Sequence, residues 1–251
     1  MGRFSCVLSK RGGKMSGFYT EIAEYYDYIF PLSEAKIALL KELAGSPPKD
    51  ILDVACGSGE YSIALNDSGY KVTAIDLNEM MIEELREKER NIDARVLNML
   101  EIESLERKFD LIFCIGNSLV HLNNAEEIYD FLKACRKSLK PGGKLLLQIV
   151  NYDRILAKEI NSLPTIVNEE VNLRFERYYD YLSDVHKIDF KTILKVDDKE
   201  IENHVLLYPV KSKELIALLE KAGFTNIQSY GDFKKNKFEP LDSFPLIIVA
   251  E

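Results

Sequence analysis

The chain has 251 residues, long enough for one large α/β domain with an inserted cap and a tight fit for two independent domains. Its 33 lysines and arginines are outnumbered by 41 aspartates and glutamates, interspersed to a net charge of −8, which excludes a polybasic face and makes nucleic acid a poor default partner. The four cysteines form no C-x-x-C pair, the three histidines have no ligand spacing, and no apolar run approaches the ~20 residues of a membrane span, so a structural zinc and a membrane helix are also excluded.

These counts lead us to expect a cytoplasmic protein with reduced thiols, no metal and no membrane partner, its oligomeric state left open. Residues 1–17 read as a flexible leader: "FSCVL" is too short for a secretory core and no small-residue cleavage pattern follows. The folded domain is expected over 18–251. "FYTEIAEYYDYIF" (18–30) has apolar spacing compatible with a helix, interrupted by Pro31. "SEAKIALLKELA" follows, with Ser33 as its N-cap and Gly45 as its stop. After the "SPPKD" turn, "ILDVA" suits a buried first strand closed by Cys56-Gly57.

The next stretches repeat one unit. Helix "EYSIALNDSG" leads to strand "KVTAID", helix "NEMMIEELREKE" to strand "ARVLN", and the segment through "SLERK" to strand "FDLIFCIG". Helix "NAEEIYDFLKACRKSL" then ends at a "KPGG" turn before strand "KLLLQIV". Helices alternating with strands at this length predict βαβ units in a doubly wound, mostly parallel, Rossmann-like sheet. Past Asn151, "VNLRFERYYDYL", "VHKIDFKTILKV" and "EIENHVLLYPV" alternate polar with apolar residues and read as antiparallel strands with one wet face. Helix "SKELIALLEKAG" and strands "FTNIQSYG" and "FPLIIVA" bring the main sheet to seven strands. The antiparallel group, at about 165–210, is therefore an insertion near the carboxyl ends of the parallel strands, where ligands bind, and is expected to be a partial lid.

The loop after the first strand, "DVACGSG", carries Gly57 and Gly59 but has Ser62 where a dinucleotide-binding turn has its third glycine. The two glycines alone serve equally as a tight turn with no ligand. Asp53, four residues before Gly57, has no special use in a dinucleotide fold but suits a cofactor bearing an ammonium group, or a loop whose backbone amides need an acceptor, a position that favours S-adenosylmethionine. Asp76 ends the second strand, where its two oxygens can accept both ribose hydroxyls, and the apolar Leu77 can pack on adenine.

In order and spacing, "ILDVACGSGEYSIAL", "VTAIDLNEMM", "FDLIFCIGNSLVHL" and "LKPGGKLLLQIVNYDRIL" resemble the successive motifs of class I S-adenosylmethionine-dependent methyltransferases, over roughly residues 18–156. Within that family "CIGNSLVHL", "NYDRIL", "YP" at 208–209 and "GDFK" at 231–234 resemble the glycine and sarcosine N-methyltransferases. The resemblance implies that Asp53 and the backbone of Ala55, Cys56, Gly57 and Gly59 surround the methionine moiety, with Asp76 on the ribose and Leu77 on adenine. It implies adenine contacts from Asn98, Met99 and Leu100, and Ile115, Gly116 and Asn117 under the sulfonium. Asn117, His121 and Tyr208 would face the acceptor, and Tyr19 would close over the cofactor.

Two positions depart from the pattern. Val150 stands where glycine-specific members have an arginine for the substrate carboxylate, so either another cation replaces it, Arg154 and Arg174 being nearest in sequence, or the acceptor has no carboxylate. Asn98 stands where many relatives have an aspartate, and its carbonyl can still accept from the adenine amino group. His121 can orient or deprotonate an amine, or cap a helix; the tyrosines at 178, 179 and 181 can line an aromatic pocket, and more ordinarily pack a strand. His186 and His204 read as structural, "REKER" and "KKNK" as solvated charge runs. The expected function is methyl transfer from S-adenosylmethionine, leaving S-adenosylhomocysteine, to a nitrogen or oxygen of a small molecule. The alternative is a module that senses the cofactor without catalysis. A nucleic-acid methyltransferase lacks its N-P-P-Y or P-C motif here, and a dehydrogenase its third glycine.

Overall fold

The computed structural model describes residues 25–251; the expected leader and residues 18–24, Tyr19 among them, lie outside the described residues. In chain order, the short helix α1 (Tyr26–Ile29) and α2 (Glu34–Ala44) precede β1 (Asp50–Val54), α3 (Glu60–Asp67), β2 (Lys71–Asp76), α4 (Glu79–Lys88) and β3 (Asp93–Val96). A 3-10 segment (Met99–Leu105), β4 (Phe109–Cys114), a second 3-10 turn (Ser118–His121), α5 (Ala125–Ser138), β5 (Leu139–Val150) and α6 (Tyr152–Ala157) follow. Then come β6 (Ser162–Asn168), β7 (Leu173–Leu182), β8 (Lys187–Val196), β9 (Lys199–Leu207), α7 (Ser212–Lys221), β10 (Gln228–Tyr230) and β11 (Pro245–Ala250).

The main sheet has seven strands in the order β10-β11-β5-β4-β1-β2-β3. β1 to β5 are parallel neighbours, and β11 runs antiparallel to both β5 and β10. Helices cover both faces, so the central strands are continuous apolar runs buried on both sides: Ile51, Leu52, Phe113, Leu146 and Ile247 are wholly buried. Each such side chain contributes roughly 1.5–3 kcal/mol by leaving water. The order reverses between β1 and β4, which opens a crevice at their carboxyl ends.

Local details decide where the helices start. Asn78 and Asn124 cap α4 and α5 by accepting hydrogen bonds from the backbone of Met80 and Glu127. Ser33 does occupy the N-cap position of α2, but its hydroxyl makes no capping bond; its backbone N–H donates instead to the Tyr61 hydroxyl. The expected "KPGG" turn is a kink inside β5, where Gly143 is needed because a Cβ there would lie 2.9 Å from the Phe109 carbonyl oxygen. Among the described residues no helix is long and apolar enough to cross a membrane.

The second sheet is antiparallel, in the order β6-β7-β8-β9. Sequence patterning marks three of its strands and misses β6, because Pro164 breaks the alternation; the register of β6 on β7 slips between Leu163 and Ile166, as an edge strand carrying a proline permits. β8 and β9 are joined by the two-residue turn Asp197-Asp198, with Asp197 in the left-handed region. The inner face of this sheet contributes Leu163, Tyr179, Ile188 and Leu207 to the same apolar core as β5 and α7. That shared core holds the second sheet against the carboxyl end of β5.

Candidate active site

The loop from β1 to α3 is pinned by its own backbone. Ala55, Gly57 and Gly59 all have positive φ (59°, 57° and 83°), and the Gly57 N–H donates to Asp76 Oδ2 at 3.0 Å, tying the loop to the end of β2. Gly59 is demanded by packing: a Cβ there would come within 2.3 Å of Leu85 on α4. Asp76 Oδ1 accepts the Asn78 N–H, and burial raises this carboxyl's pKa, opposed by the backbone N–H bonds it accepts from Asn78, Gly57 and Leu77. Asp53 is 2 % exposed, and its Oδ2 accepts the Ser62 hydroxyl at 2.7 Å. Burial pushes the Asp53 carboxyl up to about 7; the Ser62 hydrogen bond opposes this and the nearby Asp76 charge adds to it. A desolvated carboxylate with one hydrogen bond suits a bound ammonium, so the donor set fits the methionine end of S-adenosylmethionine. Ser62, read from sequence only as a missing glycine, is thus the residue that orients Asp53.

Two cavities open at the carboxyl ends of the strands. The first is walled by Ala55, Gly57, Asp76, Leu77, Asn98, Met99 and Leu100. Leu77 is 51 % exposed, an apolar side chain offering a face to a ring, and Asn98 Oδ1 accepts the Leu100 N–H, shaping the 3-10 turn beneath that face. The second cavity lies under the antiparallel sheet. Asp53, Cys56, Ile115, Asn117 and Val150 form its floor, and Leu163, Phe175, Arg177, Tyr179, Phe190 and Thr192 its roof. Tyr26, Ala55, Gly116 and His121 line both, so the cavities adjoin there.

The N-terminal wall is tied to the glycine loop through Asp27, which accepts the Ser58 hydroxyl at 2.5 Å and pairs with Lys88 at 2.7 Å. Asn117 has φ 71°; its Oδ1 accepts the Val150 N–H at 2.9 Å and its Nδ2 donates to the buried Tyr152 hydroxyl at 3.1 Å. The Gly116 N–H donates to Gln148 Oε1 at 2.8 Å, so β4 and β5 are locked together beside the junction. Burial holds the His121 imidazole down to about 4, neutral at working pH.

Of the residues singled out from sequence, Gly59 supports the loop from behind, lining neither cavity, and Tyr19 lies outside the described residues. Tyr208 also lines neither cavity; its hydroxyl donates to Glu214 at 2.6 Å. Arg154 stacks on Phe244 and Arg174 pairs with Glu176 at 2.6 Å, so neither faces Val150. Tyr178 and Tyr181 are exposed, at 40 % and 43 %, while Tyr179 packs inward against Tyr152 and Phe190. Two cations line the second cavity: Lys36 on α2, whose ammonium lies over the Tyr61 and Phe233 rings, and, in the roof, Arg177. The signal for Arg177 was the period-2 face of β7, where Leu173, Phe175 and Tyr179 are buried and it interrupts the series.

A sequence family described as "methyltransferase domain" matches residues 51–143. The glycine/sarcosine N-methyltransferase of Aphanothece halophytica is 28% identical over 203 residues, covering 78% of this chain and 74% of that one. The enzyme of the same name from Halorhodospira halochloris is 27% identical, covering 84% and 78%. A crystal structure of an S-adenosylmethionine-dependent methyltransferase from Clostridium acetobutylicum shares the fold with a TM-score of 0.78, at 18% identity over 93% of this chain and 98% of that one. The domain match, these relatives and the Asp53–Asp76 loop agree: the chain carries a methyltransferase domain over residues 51–143 and is similar in sequence and fold to S-adenosylmethionine-dependent methyltransferases.

Proposed function

We propose that the chain methylates a nitrogen of a small molecule held in the second cavity, beneath the antiparallel sheet. In this reading residues 18–251 act as one domain with that sheet as its insertion. Asp53 accepts from the cofactor's ammonium and Asp76 from the ribose hydroxyls, while Leu77, Asn98, Met99 and Leu100 surround adenine. Ile115 and Gly116 lie beneath the sulfur. When bound, S-adenosylmethionine supplies an electrophilic methyl group on a cationic sulfur.

The observation that carries the reading is the junction: His121, neutral because it is buried, lines both cavities. A neutral imidazole accepts an N–H and so aims the amine's lone pair without adding a second positive charge beside a sulfonium. Asn117, whose amide is committed to Val150 and Tyr152, acts by holding the cavity floor in place. The roof excludes water and holds the acceptor in line, which is most of what a displacement on an already activated methyl requires. The names of the two N-methyltransferase relatives support nitrogen over oxygen.

The test is turnover of methyl-labelled cofactor with a panel of amines, amino acids and hydroxylated metabolites, the product located by mass spectrometry. Label on nitrogen is expected. Label confined to oxygen, or cofactor binding with no turnover of any small acceptor, contradicts the proposal.

A further inference from the structure

The acceptor cavity holds a cation that methyl transfer itself does not need. Arg177 sits on the inward face of β7 between Phe175 and Tyr179, paired across the sheet with Leu163 on β6 and Thr192 on β8. One terminal nitrogen, Nη2, donates to the Pro164 carbonyl at 2.6 Å and the guanidinium stacks over Phe175 at 5.9 Å. Its Nε is buried with no hydrogen-bond partner, and so is Thr192 Oγ1 on the neighbouring strand. No carboxylate among the described residues pairs with Arg177. The two that line the cavity are otherwise engaged, Asp53 with Ser62 and Glu60 with Lys88 at 3.3 Å.

A desolvated guanidinium with an orphaned N–H is costly unless a ligand completes it, and burial already lowers the pKa of this one. The remaining N–H groups of Arg177 present the planar fork that a carboxylate matches in two hydrogen bonds, and the Thr192 hydroxyl can donate a third. Phe175, Tyr179 and Phe190 enclose the site, so an anion bound there is shielded from water. Val150 offers no competing charge on the floor.

We propose that Arg177 and Thr192 form an anion subsite in the roof of the acceptor cavity, and that the acceptor is an amine that also carries a carboxylate. The inference rests on the nitrogen-acceptor reading above and adds where the acceptor is gripped: from the inserted sheet, not from the end of β5.

The experiment compares amino acids with their matched amides as acceptors for the full chain, wild type and Arg177→Gln, Arg177→Lys and Thr192→Val. Wild type is expected to prefer the acid over its amide by about a hundredfold in kcat/KM, because the amide leaves the buried cation uncompensated. Arg177→Gln should erase that preference through KM, Thr192→Val should reduce it, and neither should shift cofactor affinity beyond about twofold. Equal turnover of acids and amides by wild type, or an acid preference that survives Arg177→Gln, overturns the proposal. A separate readout is the Arg177 Nε–H resonance of the protein bound to S-adenosylhomocysteine, assigned by its loss in Arg177→Lys. It should shift with acetate and not with acetamide, and an unresponsive signal overturns the subsite whatever the turnover. Methylation absent for every amine while this resonance responds to acetate would sink the nitrogen reading and the amine acceptor with it, leaving the anion subsite at Arg177 and Thr192.

Discussion

The two cavities differ in how they are made. The cofactor half is lined by Tyr26 and by two spans, 55–100 and 116–127, and its Asp76 and Asn98 are held by neighbours in the same loops, Asp76 by Gly57 and Asn78 and Asn98 by Leu100, with Asp53 beside it held by Ser62. The acceptor half is gathered from α1, the end of β5 and three strands of the inserted sheet, and keeps Arg177 Nε and Thr192 Oγ1 unsatisfied. A loop that satisfies itself is preorganised for one ligand. A cavity that leaves buried donors open records the chemistry of a ligand still to arrive.

The largest expected effect lies in the self-satisfied half. Asp76→Ala removes the acceptor for two backbone N–H groups as well as for the ribose, and calorimetry should show cofactor affinity lower by at least about a hundredfold. If the variant binds as wild type does, the first cavity has been assigned to the wrong ligand. Gly59→Ala should destabilise the fold by about 2–4 kcal/mol in thermal unfolding, since it combines a positive φ of 83° with a Cβ driven into Leu85. Gly116→Ala has a similar φ, 82°, but its Cβ would meet only Ser118 at 4.0 Å, so its cost should be about 1 kcal/mol. Equal costs at the two sites would mean that Leu85 yields and that packing does not dictate Gly59.

Two pH effects should separate the halves. The Asp53 carboxyl is raised from 3.8 to about 7, so its contribution to stability of the unliganded fold is present at acid pH and lost as pH rises through about 7. A bound ammonium favours the ionised form, so cofactor affinity should rise with pH up to about 7 and fall by up to about tenfold per unit below it. His121, neutral above about 4, should contribute no step to the kcat profile between pH 5 and 8, although His121→Ala should lower kcat by about tenfold to a hundredfold. A step near 6.5 that vanishes in His121→Ala would show an imidazole far less buried than this one. The smallest effect is expected at Tyr208: its hydroxyl is spent on Glu214 and it lines neither cavity, so Tyr208→Phe should hold kcat/KM within about threefold in the turnover assay.

How much was legible in the sequence follows the same division. The parallel strands announced themselves as short apolar runs bounded by glycine or proline, and Asp53, Gly57 and Asp76 as a local pattern whose chemistry needs no knowledge of distant residues. β6 was hidden, because Pro164 and an exposed edge erase the alternation that marks a strand. Val150 raised the question of a missing cation, for which proximity in sequence nominated Arg154 and Arg174; only the register of β7 turns Arg177 inward while Arg174 faces Glu176. Asn117 and Tyr208 carried side chains suited to an acceptor, yet their hydrogen bonds to Val150, Tyr152 and Glu214 depend on how β5 and α7 pack. Local motifs are read directly; a site assembled across a fold is read only through its register.

The most direct measurement is the pair of Michaelis constants, one for cofactor and one for acceptor, in Asp76→Ala and Arg177→Gln side by side. The account predicts that Asp76→Ala raises the cofactor constant alone and that Arg177→Gln raises the acceptor constant alone, each by about tenfold or more. Either variant moving the other half's constant by as much as its own would contradict the division of the site into two cavities.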